Sequence, residues 1–142
     1  MIRKLDDRVS VAPQIEPSDV ESLARSGFVT IVNNRPDGES PDQPDGDAVA
    51  AAARAAGLAY HAIPVTHAGI GSNQVAAMAA VLRDAPGPVL AYCRSGTRST
   101  HLWALASAQA GEDPQRLIGA AADAGYDIAG LAPTLRQLSG GA

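Results

Sequence analysis

One seven-residue segment carries the residue types that could do covalent chemistry. Residues 93–99 read Cys-Arg-Ser-Gly-Thr-Arg-Ser and contain the only cysteine of the 142-residue chain. The segment follows the apolar residues 89–92 and precedes a helical pattern, so it is predicted to join a buried strand to a helix. In such a loop, several backbone N–H groups and the N-terminus of the next helix can point at one spot and bind an anion.

The residue types assign roles within this loop. Cys93 is the expected nucleophile, and the field of the loop favours its thiolate, which is the reactive form. Arg98 can hold a tetrahedral oxyanion with two N–H groups, and Ser99 could donate a hydrogen bond to the sulfur. The rest of the anion-binding loop is Arg94, Ser95, Gly96 and Thr97. The alternative for a lone cysteine is a small, buried, unreactive side chain.

The bulk composition argues against several other functions. A net charge of −4 indicates no basic face for nucleic acid or an anionic membrane, and no apolar stretch approaches the roughly 18 residues of a membrane span. One cysteine cannot form an intramolecular disulfide or a cysteine-rich metal site. We expect neither a metal nor a cofactor. The N-terminus does not resemble a signal peptide, and a free thiol then indicates the cytoplasm.

Strands and helices are predicted to alternate up to Cys93, and helices alone to follow it. The predicted strands are residues 2–5, 9–12, 28–32, 58–65 and 89–92. The predicted helices begin at residues 18, 48, 72, 98, 114 and 127, with a capping box at residues 18–21 and Pro133 dividing the last helix. This order predicts one α/β domain over residues 1–142, with a mainly parallel sheet of four to five strands flanked by helices.

Further candidates follow the strand at residues 28–32. Ligands of open parallel sheets bind outside the carboxyl ends of the strands, so Asn34, Arg35 and Asp37 could line the same pocket as Cys93. The alternative is a turn in which Asp37 and Gly38 supply local geometry. The acidic residues between positions 37 and 47 are interpreted as a solvated face.

The cysteine loop resembles the active loops of two families. It is similar to the loop of rhodanese-type sulfurtransferases, in which cysteine becomes a persulfide, and to the Cys-x5-Arg loop of cysteine-dependent phosphatases. Four residues separate Cys93 from Arg98, one fewer than in the phosphatase pattern, and this count matches the rhodanese loop. The opening hairpin and the helical C-terminal third instead resemble a compact dual-specificity phosphatase.

The segment Asn-Asn-Arg-Pro-Asp-Gly-Glu at residues 33–39 adds to this resemblance. Together with the cysteine loop, it closely resembles the bacterial beta-lactamase-hydrolase-like, phosphatase-like family (DUF442), over nearly the whole chain. Members of that family are described either as phosphatases or as sulfurtransferases. Some are fused to a metallo-hydrolase domain that resembles persulfide dioxygenases.

The nature of the proton donor separates the two activities. A phosphatase of this kind needs an acid, usually Asp, in a loop roughly thirty residues before the cysteine, to protonate the departing alkoxide. Residues 63–71 contain neither Asp nor Glu; His67, in a loop near the predicted pocket, or Asp37 could substitute. His61 and His101 are predicted to be structural. Sulfane transfer from thiosulfate expels sulfite, which needs no proton.

These observations favour a sulfurtransferase. Cys93 would take sulfur from a small anionic donor, thiosulfate or a persulfide, and pass it to an external thiol. One alternative is a phosphatase that cleaves a phosphoester through a Cys93 thiophosphate. The other is a non-catalytic anion-binding or thiol-sensing module. The alanine-rich helices could serve a homodimer as easily as a monomer.

Overall fold

Five strands form one sheet in the computed structural model, which describes residues 1–140. The strands are β1 (Arg3–Lys4), β2 (Val9–Ala12), β3 (Thr30–Asn33), β4 (Ala59–Ala62) and β5 (Val89–Tyr92). They lie in the order β1-β2-β5-β3-β4. The hairpin partners β1 and β2 are antiparallel, whereas the pairs β2–β5, β5–β3 and β3–β4 are parallel. The predicted α/β class and mainly parallel sheet are confirmed.

Six α-helices surround this sheet. They are α1 (Val20–Arg25), α2 (Gly46–Ala55), α3 (Ser72–Asp84), α4 (Thr97–Gln109), α5 (Pro114–Asp123) and α6 (Ala132–Leu138), with 3-10 turns at Pro17–Asp19 and Ala129–Leu131. None of the helices within residues 1–140 has the length and hydrophobicity that crossing a lipid bilayer requires. The predicted helical C-terminal third is confirmed.

The central strands are apolar because helices cover both faces of the sheet. Every residue of β2, β3 and β5 is buried, whereas the edge strand β4 is largely exposed. On one face, Val32 and Ala91 pack with Met78, Trp103 and other residues of α3 to α6. On the other face, residues that include Ile31 and Leu90 pack beneath α1 and α2. Because helices cover both faces of the sheet, the position of β5 is fixed, and so is the position of the loop that follows it.

One local prediction is wrong, and another is displaced by one residue. The capping box does not begin at Ser18, because the backbone N–H of Glu16 donates to the Asp19 carboxylate at 2.8 Å and a 3-10 turn precedes the helix. The last predicted helix is divided one residue before Pro133: a 3-10 turn ends at Leu131 and α6 begins at Ala132. Pro133 therefore lies in the first turn of α6, where its missing N–H has no helical partner to lose.

The sheet order brings the candidate segments together. β5 is the central strand, and β3 lies beside it, so the residues after each strand meet at one edge of the sheet. β4 follows on the other side of β3, and its continuation runs along the same edge: the N–H of Val65 donates to the Asn34 carbonyl at 2.9 Å. Three strand-to-helix connections therefore surround Cys93.

Candidate active site

Cys93 lies directly after the central strand β5, and its side chain is 0% exposed. Its Sγ accepts a hydrogen bond from the backbone N–H of Gly96 at 3.1 Å. The chain can turn back in this way because Gly96 has a φ of 93°, in the left-handed region that favours glycine. The helix α4 begins at the next residue. The sulfur therefore lies inside a tight loop, with at least one amide directed at it.

The peptide between Ser95 and Gly96 is held from both sides. The Tyr126 hydroxyl donates to the Ser95 carbonyl oxygen at 3.0 Å, while the N–H of the same peptide donates to the sulfur of Cys93. The C=O and N–H groups of a planar trans peptide point in opposite directions. The contact with Tyr126 therefore directs this amide towards the sulfur. Tyr126 was not among the predicted site residues.

Arg98 is held by Glu39, a residue that the sequence interpretation placed on a solvated face. The Arg98 Nη1 and Nη2 groups donate to the two carboxylate oxygens of Glu39 at 2.8 Å each, and Nη1 also donates to the Val65 carbonyl at 2.7 Å. Glu39 thus occupies the end of the guanidinium fork. The Nε–H and the second Nη2–H, on the side of the fork, donate to no oxygen atom of residues 1–140. Besides the hydrogen bonds to Glu39, a side-chain hydrogen bond with Cys93 raises the pKa of Arg98, so the guanidinium lies beside the sulfur and its side edge can take an oxyanion.

Arg35 supports Glu39 from behind. The side chain of Arg35 is only 4% exposed, and its Nε donates to a Glu39 carboxylate oxygen at 3.0 Å. Its other nitrogens donate to Gln14 at 2.9 Å and to Ser40 at 3.2 Å. Arg35 therefore positions Glu39 and does not contribute an unpaired charge to a pocket.

Electrostatic interactions within the cluster of Arg35, Glu39 and Arg98 keep these side chains charged. Hydrogen bonds from Arg98, and then from Arg35, lower the pKa of Glu39 to about 2, although burial opposes the shift. Hydrogen bonds to Glu39 raise the pKa of Arg98, and the nearby charge of Cys93 acts in the same direction. At neutral pH the cluster holds two positive charges and one negative charge, so a net positive charge remains beside the cysteine.

Ser99 does not donate to the sulfur, and this prediction is wrong. Its hydroxyl donates to the Asn34 Oδ1 at 2.8 Å, because the residue faces β3 from the first turn of α4. The Asn34 side chain in turn donates to the Ile63 carbonyl at 2.9 Å. Both Asn34 and Ser99 are 0% exposed. Asn34 therefore does not line an open pocket; the pair ties the three connections together behind the loop.

Asp37 also has a structural partner. Its carboxylate accepts the backbone N–H of Gly46, the first residue of α2, at 2.8 Å. The structure thus agrees with the alternative in which Asp37 supplies local geometry. Three members of the loop, Arg94, Ser95 and Thr97, are exposed, and the Thr97 hydroxyl accepts a hydrogen bond from the Ser95 hydroxyl at 3.0 Å.

Two histidines lie near Arg98. His67, in the loop after β4, lines a cavity of about 440 Å³ whose wall also includes Arg98. His101, predicted to be only structural, lines the same cavity, and burial lowers its pKa. His61 is exposed on β4. No group of three or more potential His, Cys, Asp or Glu metal ligands comes together within the described residues 1–140.

The fold and the site together define an α/β domain built around a cysteine in a tight loop, with an arginine beside it. The chain belongs to the family of the Beta-lactamase hydrolase-like protein, phosphatase-like domain, whose model matches residues 1–111. The resemblance found in the sequence is thereby confirmed. Tyr126 and the helices α5 and α6 lie beyond the matched residues.

Known relatives agree with this assignment. The chain is 41% identical over 101 residues to a Beta-lactamase hydrolase-like protein of Xylella fastidiosa, covering 71% of this chain and 23% of that protein. The chain spans about a quarter of the length of the curated relatives it matches. A candidate phosphatase of Neisseria meningitidis is 35% identical, with a TM-score of 0.82 and coverage of 96% of this chain and 97% of that one.

A more distant structure shares the fold alone. A DUF442 candidate phosphatase of Shewanella putrefaciens is 18% identical, with a TM-score of 0.70 over 99% of this chain and 91% of that one. These comparisons support the phosphatase alternative better than the expected sulfurtransferase.

The ion pair generates a first prediction. Glu39→Gln removes the charge between Arg35 and Arg98 while keeping the volume, so we expect it to lower the free energy of unfolding by about 2–4 kcal/mol. Urea denaturation followed by circular dichroism measures this change. The matched control is Glu21→Gln, which removes an exposed partner of Arg25 and should cost less than about 0.5 kcal/mol. Equal losses in both variants would contradict the structural role of Glu39.

The packing of the loop generates a second prediction. A Cβ at position 96 would collide with the Tyr126 hydroxyl, whereas Gly111 has a similar φ of 98° and open space around it. We expect Gly111→Ala to lower the free energy of unfolding by about 1–2 kcal/mol through backbone strain alone. Gly96→Ala should lower it by clearly more, because it adds the collision with Tyr126. The double variant Gly96→Ala/Tyr126→Phe should lose less free energy of unfolding than the sum of the losses in the two single variants. Strict additivity in the denaturation curves would show that the contact is absent.

Proposed function

We propose that this domain is a cysteine-dependent phosphatase, with Cys93 as the nucleophile. The observation that carries the proposal is the held guanidinium of Arg98, with one edge bound by Glu39 and the other edge free beside the cysteine loop. A free bidentate edge matches two oxygens of a phosphoryl group. The family and its Neisseria relative support the same activity.

The reaction would proceed in two displacements. In the first, the thiolate of Cys93 attacks phosphorus, the S–P bond forms and the ester P–O bond breaks. In the second, water attacks phosphorus, the S–P bond breaks, and inorganic phosphate and the thiolate are released. The free edge of Arg98 would hold the equatorial oxygens in both steps. The N–H of Gly96 would stabilise the thiolate as the leaving group of the second step.

His67 is the proposed proton donor to the departing alkoxide. Glu39 is excluded from that role because its pKa of about 2 leaves it ionised, and Asp37 is bound to the N-terminus of α2. Burial lowers the pKa of His101, so its imidazole is neutral at neutral pH. His67 lies in the loop where the resemblance to phosphatases expects the acid, and it shares a cavity with Arg98.

Sulfur transfer is the second candidate function, and the short loop favours it. Only four residues separate Cys93 from Arg98, as in the rhodanese loop. Neither Asp37 nor Glu39 is free to act as an acid, because Asp37 accepts the Gly46 N–H and Glu39 is paired with Arg98. Cys93 would attack the outer sulfur of thiosulfate, the S–S bond would break, and sulfite would leave with the electron pair. The persulfide would then pass its sulfur to an external thiol. Either reaction needs a reduced Cys93, and this requirement supports the proposal of a reducing compartment such as the cytoplasm.

One experiment distinguishes the proposed functions. We expect reduced protein to release phosphate from p-nitrophenyl phosphate, and Cys93→Ser to abolish the release, because the serine hydroxyl stays protonated at neutral pH. In parallel, the protein is incubated with thiosulfate and its intact mass is recorded. A gain of one sulfur with release of sulfite, without phosphate release, would replace the phosphatase by the sulfurtransferase. If the protein is inactive in both assays, the remaining function is that of a non-catalytic anion-binding or thiol-sensing module.

The assignment of His67 has its own matched control. His67→Asn should lower kcat for an alkyl phosphate by about 100-fold, the usual size of a general-acid contribution, and should affect p-nitrophenyl phosphate much less, because nitrophenolate leaves without a proton. His61→Asn changes an exposed histidine on β4 and should leave both rates unchanged. An equal effect of His67→Asn on both esters would contradict the role of proton donor.

A further inference from the structure

The cavity beside Arg98 has a mostly apolar lining. It lies between the loop after β4, the helix α4 and the start of α6, and has a volume of about 440 Å³, within the size range of small-molecule pockets. Ile70 from the loop, Leu105 from α4 and Leu131 from the 3-10 turn before α6 supply apolar side chains. Arg98 also lines the cavity, so the cavity adjoins the guanidinium that is proposed to bind the oxyanion.

The cavity offers no second permanent positive charge. Arg98 is the only lysine or arginine that lines it among the described residues 1–140, and Glu39 already neutralises much of that charge. His101 is neutral at neutral pH because burial lowers its pKa. His67 gives its proton to the departing alkoxide in the proposed reaction, so it is not a lasting cation either. A second anionic group placed here would lose hydration without gaining a lasting positive partner, which is costly.

We propose that this cavity binds the alcohol portion of the substrate and that the substrates are phosphate monoesters of uncharged, largely apolar alcohols or phenols. The proposal rests on the phosphatase function, because the phosphoryl group at Arg98 is what directs the rest of the ester into the cavity. Esters that carry further phosphate or carboxylate groups are disfavoured by the missing cation. A larger cavity near Ser18 and Ala52, between α1 and α2, has no lining residue from the cysteine loop.

The test compares a neutral and a charged ester on the purified domain. 1-Naphthyl phosphate is the neutral ester, and a naphthyl phosphate that carries one carboxylate is the charged ester. We expect wild-type kcat/KM to be about tenfold higher for the neutral ester, as for the loss of one charge interaction in a partly dry site. Thr134→Lys adds a cation at an exposed position that lines the cavity, and should raise kcat/KM for the charged ester at least about threefold with little change for the neutral one.

Ser18→Lys is the matched control, because it adds the same charge at an exposed position beside the other cavity, and should leave the preference unchanged. Equal wild-type rates for both esters, or equal effects of the two lysine variants, would overturn the subsite while phosphate release still supported the phosphatase. Turnover of neither ester by the wild-type protein would instead overturn the phosphatase function, and the subsite with it.

Discussion

The carboxylate of Glu39 lies between two arginines, and the site is assembled around that contact. Arg35 comes from the segment after β3 and Arg98 from the first turn of α4. The Val65 carbonyl, in the loop after β4, joins the same guanidinium. Each of these side chains would be costly to bury alone, and each is stable here because the others supply its hydrogen bonds. The cluster therefore fixes the position of three connections at once.

That cluster also determines which part of Arg98 can act. A guanidinium has two edges suited to bidentate hydrogen bonds, and Glu39 takes one of them. The remaining edge is oriented before any ligand arrives, so binding an oxyanion costs little further side-chain entropy. Tyr126 orients the backbone of the loop in the same way, because its hydroxyl directs one loop amide at the sulfur of Cys93. Two residues outside the cysteine loop thus prepare the site.

Much of this architecture could be predicted from the sequence. The apolar run before Cys93 and the glycine and helix after it are local signals, and they suffice for the strand, the turn and the nucleophile. Glu39 could not be assigned in that way, since an acidic residue in a proline-rich segment has the pattern of a solvated loop. Its partner Arg98 is distant in the chain, and only the sheet order brings the two together. The contact of Tyr126 with Ser95 is non-local for the same reason.

Ser99 shows the limit of local reasoning most clearly. Its place at the end of the cysteine loop suggested a hydrogen bond to the sulfur, but the rotation of α4 turns its hydroxyl towards Asn34. Asn34 and Asp37 were likewise reasonable pocket candidates from their place after a strand. The structure uses Asn34 as a brace and Asp37 as a helix cap, because buried donors and acceptors near a sheet edge must be paired.

The most direct test of this account measures oxyanion binding by the free edge of Arg98. Isothermal titration calorimetry with tungstate, a tetrahedral oxyanion, should show one site per chain in the wild-type protein. Arg98→Lys should weaken binding at least about tenfold, because lysine cannot form the bidentate contact, whereas Arg83→Lys on the exposed surface of α3 should not. Tungstate binding that is absent from the wild-type protein, or unaffected by Arg98→Lys, would contradict the central claim.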